Sequence, residues 1–217
     1  FQENHRRLHN KPLQAQKLRS FENKMSTLQP VRGTHDLLAE DSLRHRKVID
    51  TVRDISGRYG FDEIETPIFE RTEVFARTLG DTSDIVTKEM YTFEDRGGEQ
   101  ITLRPEHTAG IVRAMVSNGL ASQLPLKVFA SGPTFRYERP QKGRLRQFHQ
   151  IDVELLGVPG AQADVEVIPL AADIWGALGV AAKTTLELNT LGDGPSRDAY
   201  RERLVAYFSD HRDDLSE

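Results

Sequence analysis

Two stretches with strand character, 127–138 and 149–156, flank a polar loop of ten residues. Strands so close in sequence read as an antiparallel hairpin, and that hairpin constrains the fold more than any other feature. The chain around it alternates helical and strand signals. Residues 41–59 place Leu43, Val48, Val52 and Ile55 near helical spacing, with acids early and Gly57 and Gly60 late, which predicts a helix. Residues 61–69 carry Phe61, Ile64 and Ile68 but also Pro67, which cannot donate to a ladder, so an edge or interrupted strand is expected. A short helix is expected over 71–79. Residues 90–94 and 100–104 flank Asp95-Arg96-Gly97-Gly98, a second hairpin signal. Further helices are expected at 107–117, 161–178 and 196–208, and a strand at 184–188. Hairpins with helices between them predict an α+β fold, an antiparallel β-sheet with flanking helices.

Composition narrows the chemistry. With 37% hydrophobic and 29% charged residues, the 217-residue chain is expected to be globular and water-soluble. No apolar run approaches the roughly 20 residues that span a bilayer, so no membrane partner is expected. Cysteine is absent, which excludes disulfides, thiolate catalysis and Cys-based metal sites, and fits a reducing, cytoplasmic location. The net charge of −4 hides an asymmetry. Residues 1–24 hold six Lys or Arg against Glu3 and Glu22, a local charge of +4. This basic N-terminal extension is set apart from a fold expected over 25–217. It reads either as a transit peptide or as a scar or upstream sequence ahead of a start at Met25. His5 and His9 stand four apart, but two histidines alone do not make a metal site, and no metal ligands are predicted.

The chemistry concentrates in GPTFRYERPQKGRLRQFHQIDVE, 132–154. Arg136, Arg139, Lys142, Arg144 and Arg146 lie within eleven residues, with Glu138 the only acid among them. Arginine forks match phosphate oxygens, so an anion is expected there. If the strand runs to residue 138, Arg136 and Glu138 share one face; Gln150, Asp152 and Glu154 share a face of the return strand. Phe148 offers a π-face to a base. A solvated basic hairpin has the same composition, so physics alone supports only a phosphate or nucleotide site.

The same string resembles the motif 2 strand–loop–strand of class II aminoacyl-tRNA synthetases, in the form found in bacterial histidyl-tRNA synthetases. VRGTHDLL at 31–38 is similar to that family's start, and YGFDEIETPIFE at 59–70 to its motif 1. KEMYTFEDRGGEQITLRPEHTAG at 88–110 resembles its next strand pair and substrate turn, and TLELNTLG at 185–192 continues the likeness. Long strings at matching spacing carry far more weight than a lone short motif.

The resemblance implies a histidine–tRNA ligase. Such an enzyme joins histidine to ATP as histidyl-adenylate, with Mg2+ on the phosphates, and then transfers the histidyl group to the 3′ end of histidine tRNA. It implies that Arg136 holds the α-phosphate and the substrate carboxylate and so acts at the reaction centre. Glu138 would accept from the adenine amino group, Phe148 would stack on the base, and Arg144 would reach the distal phosphates. Glu106, Thr108 and Gln150 would bind the substrate α-amino group, and Glu154 would accept from the imidazole. Glu106 also reads as an ordinary acid at a helix N-terminus. His107, where the family often has glycine, reads as structural. Arg139 and Gln141 match residues that contact the tRNA acceptor end, including its extra 5′ guanosine. Motif 1 implies a homodimer.

The later family segments have no counterpart here: a loop like RGLDYY, the Gly-rich motif 3 and an anticodon-binding domain. The resemblance therefore implies the N-terminal part of a catalytic core, incomplete at its C-terminus, and an inactive or weakly active chain on its own. The alternatives are the regulatory paralogue that partners ATP phosphoribosyltransferase in histidine biosynthesis, or an interaction module only. The paralogue should lack much of RPQKGRLRQFHQ, which is present.

Overall fold

The computed structural model describes residues 28–79, 89–190 and 192–215; the basic extension 1–24 lies outside them. In chain order the elements are helix α1 (Ala39–Arg58), strands β1 (Asp62–Glu63) and β2 (Phe69–Arg71), and helix α2 (Thr72–Leu79). Strands β3 (Tyr91–Glu94) and β4 (Gln100–Leu103), helix α3 (Thr108–Ser117), and strands β5 (Leu126–Phe135) and β6 (Gln147–Leu156) follow. Helices α4 (Gln162–Ala177) and α5 (Gly194–Asp210) complete the set. The chain divides into two compact units, one ending at Leu178 and the other beginning at Gly179.

The first unit holds two three-stranded sheets, ordered β1-β5-β6 and β2-β4-β3. The α+β class is as expected, but the arrangement is not one purely antiparallel sheet: β1 pairs parallel to β5, with Asp62 opposite Val128. Pro67 explains the division. The run 61–69 breaks around it, so β1 joins one sheet and β2 the other. The hairpin signal at 95–98 holds, with Glu94 opposite Gln100.

Helix α1 carries Glu40 and Asp41 in its first turn and Arg58 in its last, each complementing the helix dipole. It buries Val52 and Ile55 in a cluster with Phe61, Phe129 and Leu170. Ile151, Val153 and Leu155 of β6 and Val167 and Ile174 of α4 pack against that cluster. Each large side chain removed from water there contributes roughly 1.5–3 kcal/mol. Arg53 of α1 grips Glu63 of β1 through Nε (2.7 Å) and Nη2 (2.9 Å), fixing helix to strand at the surface.

Arg104, just past β4, joins the two sheets. Its N–H donates to Ile68 (2.8 Å) and its carbonyl accepts from Phe135 (2.9 Å). The buried side chain donates through Nη1 to the Thr66 carbonyl (2.9 Å) and through Nε to the Pro133 carbonyl (2.8 Å). The guanidinium lies over Gly132, where a Cβ would collide with Nη2. A buried guanidinium is tolerated because carbonyl oxygens replace its lost water.

In the second unit α5 is capped by Asp193, whose side chain accepts from the Ser196 N–H (2.9 Å) and is held below its ordinary range mainly by that residue. The strand expected at 184–188 does not form: no ladder includes these residues among those described, and Leu186 and Leu188 are exposed. An alternating segment becomes a strand only beside a sheet edge that takes up its backbone groups.

Candidate active site

Strands β5 and β6 pair along all ten residues, from Leu126 opposite Leu156 to Phe135 opposite Gln147. Period-2 alternation then divides β6 into two faces. Ile151, Val153 and Leu155 face the helices, while Phe148, Gln150, Asp152 and Glu154 line the other face opposite Thr134, Gly132, Ala130 and Val128. Three polar residues in a row are tolerated because the turn 104–108 and the start of α3 cover them.

That turn is built by β4 and supplies matching partners. The Thr108 hydroxyl donates to Glu154 Oε1 at 2.5 Å. The His107 N–H donates to Asp152 Oδ2 at 3.2 Å, and Gln150 Nε2 donates to Asp152 Oδ1 at 2.9 Å. Burial pushes the Glu154 carboxyl above its ordinary value; the Thr108 hydroxyl opposes this, while Asp152 and Glu106 add to the rise. Glu106, itself buried, accepts the Ala109 N–H at 3.0 Å and so satisfies an orphan donor at the start of α3. The helix-terminus reading of Glu106 therefore describes its contact in this structure. The His107 ring is fully buried and its pKa is lowered, first by burial and then by Arg104. Its φ of −98° is one that any residue adopts, so the turn does not require glycine at this position.

The cationic loop corrects one expectation. Strand β5 ends at Phe135, so strand alternation does not put Arg136 and Glu138 on one face. The Arg136 N–H still takes the Arg146 carbonyl (3.0 Å), but the Glu138 N–H then folds back onto the Arg136 carbonyl (2.8 Å) in a tight turn. Arg136 Nε donates to the Pro105 carbonyl at 2.9 Å, and its guanidinium lies 5.2 Å from the Phe148 ring centre. Arg136 thus bridges the turn 104–108 and the predicted base platform. Glu138 accepts from Arg144 Nη1 at 3.1 Å. Arg139 and Gln141 are exposed beyond it, and Gln141 pairs with Arg144 across Lys142-Gly143, with Gly143 at φ +80°.

The loop base rests on the segment 31–34. Gly33 accepts both the Arg146 N–H (2.7 Å) and the Gln147 N–H (3.2 Å). At φ +87°, with the Arg146 side chain where a Cβ would sit, this position requires glycine. Arg146 stacks on Tyr137 at 4.0 Å.

The structure therefore brings together Arg136, Phe148, Glu106, Thr108, Gln150 and Glu154, leaves Arg139 and Gln141 at the rim, and ties Glu138 to Arg144. Sequence reasoning gave no role to Asp152, Arg104 or Gly132. The alternation of β6 already put Asp152 on the right face. Nothing in the string indicated that Arg104 would turn inward over Gly132. Among the described residues, no group of three His, Asp or Glu is arranged to hold a metal ion.

A family model described as histidyl-tRNA synthetase matches residues 33–192, which includes both the turn 104–108 and the hairpin. The chain belongs to the histidyl-tRNA synthetase family. A histidine–tRNA ligase of Gluconacetobacter diazotrophicus is 63% identical over 193 residues, 89% of this chain and 46% of that protein. The chain thus spans about half the length of the curated relatives it matches. A crystal structure of apo S. aureus histidyl-tRNA synthetase superposes with a TM-score of 0.64 at 35% identity, covering 88% of this chain and 44% of the other. A Bacillus halodurans structure described as an ATP phosphoribosyltransferase regulatory subunit/histidyl-tRNA synthetase gives 0.59 at 29% identity, covering 73% and 39%. The expected class II synthetase architecture is the fold observed. No helix among the described residues is long and apolar enough to cross a membrane.

Proposed function

We propose that the protein carrying this chain is a histidine–tRNA ligase, and that residues 28–178 supply the amino-acid subsite and much of its ATP subsite. The observation that carries the reading is the Arg136 side chain, tied to Pro105 on one side and laid over Phe148 on the other. This puts one guanidinium between a carboxylate-lined pocket and an aromatic platform, where an amino-acid carboxylate would attack the α-phosphate. Its forked cation offsets the two converging anions and the charge that develops on phosphoryl oxygens.

Glu106, Thr108 and Gln150 would receive the α-ammonium, and Glu154 an imidazole N–H. The base would slide onto Phe148, with Glu138 taking its amino group once Arg144 swings from Glu138 to the distal phosphates. Mg2+ would enter on the ATP phosphates, since that ion keeps most of its ligands as phosphate and water oxygens. The exposed Arg139 and Gln141 would meet the tRNA acceptor end. A cytoplasmic homodimer through 41–70 completes the reading.

The test is histidine-dependent exchange of pyrophosphate into ATP by the full-length protein, followed by charging of histidine tRNA. Exchange with histidine and not with other amino acids is the expected result; none with histidine overturns the reading. The regulatory-subunit alternative has one observation in its favour, the Bacillus halodurans likeness. It predicts neither exchange nor charging.

A further inference from the structure

The carboxylate of Asp152 sits between two donors that belong to different elements. Oδ1 accepts from Gln150 Nε2 on its own strand, and Oδ2 accepts the His107 backbone N–H from the turn 104–108. A carboxylate can only accept, so the Gln150 group that faces it must be the NH2. That leaves Gln150 Oε1 pointing away, and this oxygen is buried without a hydrogen-bond partner. A buried acceptor with no donor is costly, roughly 1–3 kcal/mol, and marks a place where something is meant to bind. The adjoining carboxylates Glu154 and Glu106 make that ligand group a cation.

We infer that Asp152 is a positioning residue for the amino-acid subsite: it fixes the Gln150 amide so that an acceptor oxygen, not an N–H donor, is presented to the substrate ammonium. The inference rests on the ligase reading above. It adds a residue that contacts no substrate yet sets the polarity of one that does. Asparagine at position 152 would reverse that polarity. Its one oxygen would be claimed by the fixed His107 N–H, so its NH2 would face Gln150. The Gln150 amide would then turn its oxygen inward and its NH2 toward the ammonium, donor against donor.

The experiment is steady-state pyrophosphate exchange by the full-length protein, comparing wild type, D152N and the double variant Q150E/D152N. D152N should raise KM for histidine about 10- to 100-fold, with kcat and KM for ATP within about threefold, as expected when an interaction common to ground and transition states is lost. Q150E/D152N should recover most of that loss, because a carboxylate at 150 accepts from the asparagine NH2 with one oxygen and offers the other to the ammonium. A merely structural role for Asp152 would raise both KM values or lower kcat, with no recovery in the double variant. Either that pattern or an unchanged KM for histidine overturns the inference.

The wild type gives a second reading that does not depend on a variant folding. In its crystal structure with histidine, Gln150 should contact the ligand through Oε1 while Nε2 stays on Asp152; a separated pair overturns the inference. A wild type without any histidine-dependent exchange fails differently, overturning the ligase reading and this inference with it.

Discussion

Thr108 donates its hydroxyl to Glu154 across 2.5 Å, joining the first residue of α3 to the C-terminal part of β6. The bond ties together two residues proposed to hold opposite ends of one amino acid. It also partly offsets the burial of a carboxylate that Asp152 and Glu106 disfavour further.

Glu154 and Glu63 should therefore respond to pH with opposite sign. The folded-state pKa of Glu154 is raised above its ordinary 4.5, so folding binds its proton more tightly and stability falls as pH rises from 4.5 through the raised value. Glu63 is lowered, first by the Arg53 hydrogen bond, so its contribution is present above 4.5 and lost as pH falls through the folded value. Urea unfolding should find Glu154→Gln more stable than wild type at neutral pH by about 1 kcal/mol, the usual scale of a single substitution. Glu63→Gln should be less stable by up to ~1 kcal/mol, since its partner is half exposed. Equal slopes for the two variants between about pH 4 and 8 would contradict this account.

Arg136 sits at the proposed reaction centre. Arg136→Ala in the full-length protein should slow pyrophosphate exchange by about 10²–10³ or more, and Arg136→Lys should restore little of it, since a point charge lacks the fork. Exchange near the wild-type rate in either variant would remove Arg136 from the chemistry.

Gly132 is required by packing, not by its backbone angles. A methyl group there meets the Arg104 guanidinium, which is already committed to Thr66 and Pro133. Gly132→Ala should cost about 2–4 kcal/mol by overpacking and by freeing buried donors. A lower urea midpoint with an unchanged m-value is the expected signature. Wild-type stability would mean that Arg104 can turn aside freely.

Leu43 on α1 and Ile68 and Phe69 beside Pro67 are exposed at 63%, 43% and 58%. Apolar side chains at an edge strand suit cover by another chain, and the string that resembles motif 1 lies here. Sedimentation of residues 25–217 at tens of micromolar should find a dimer; monomer alone would count against pairing through this surface.

Periodicity alone determined most of the elements. Helix α1, the hairpin at 95–98 and the long β5–β6 pair follow from local spacing, charges at the helix ends and turn chemistry, and the alternation of β6 already separated Gln150, Asp152 and Glu154 from the core residues between them. Family resemblance singled out Arg136, Thr108 and Glu154. Tertiary structure decided what local spacing does not encode. Residues 184–188 alternate like a strand yet enter no ladder among the described residues, and Arg136 and Glu138 leave the ladder because the chain turns back after Phe135. Arg104 reads as one more charged residue until Thr66 and Pro133 offer it carbonyl oxygens 38 and 29 positions away. Asp152 acquires its role only where β6 meets the turn at His107, 45 residues earlier. Hydrogen-bond polarity depends on which groups meet in space, and pairings over such separations exist only once the two sheets have closed on each other.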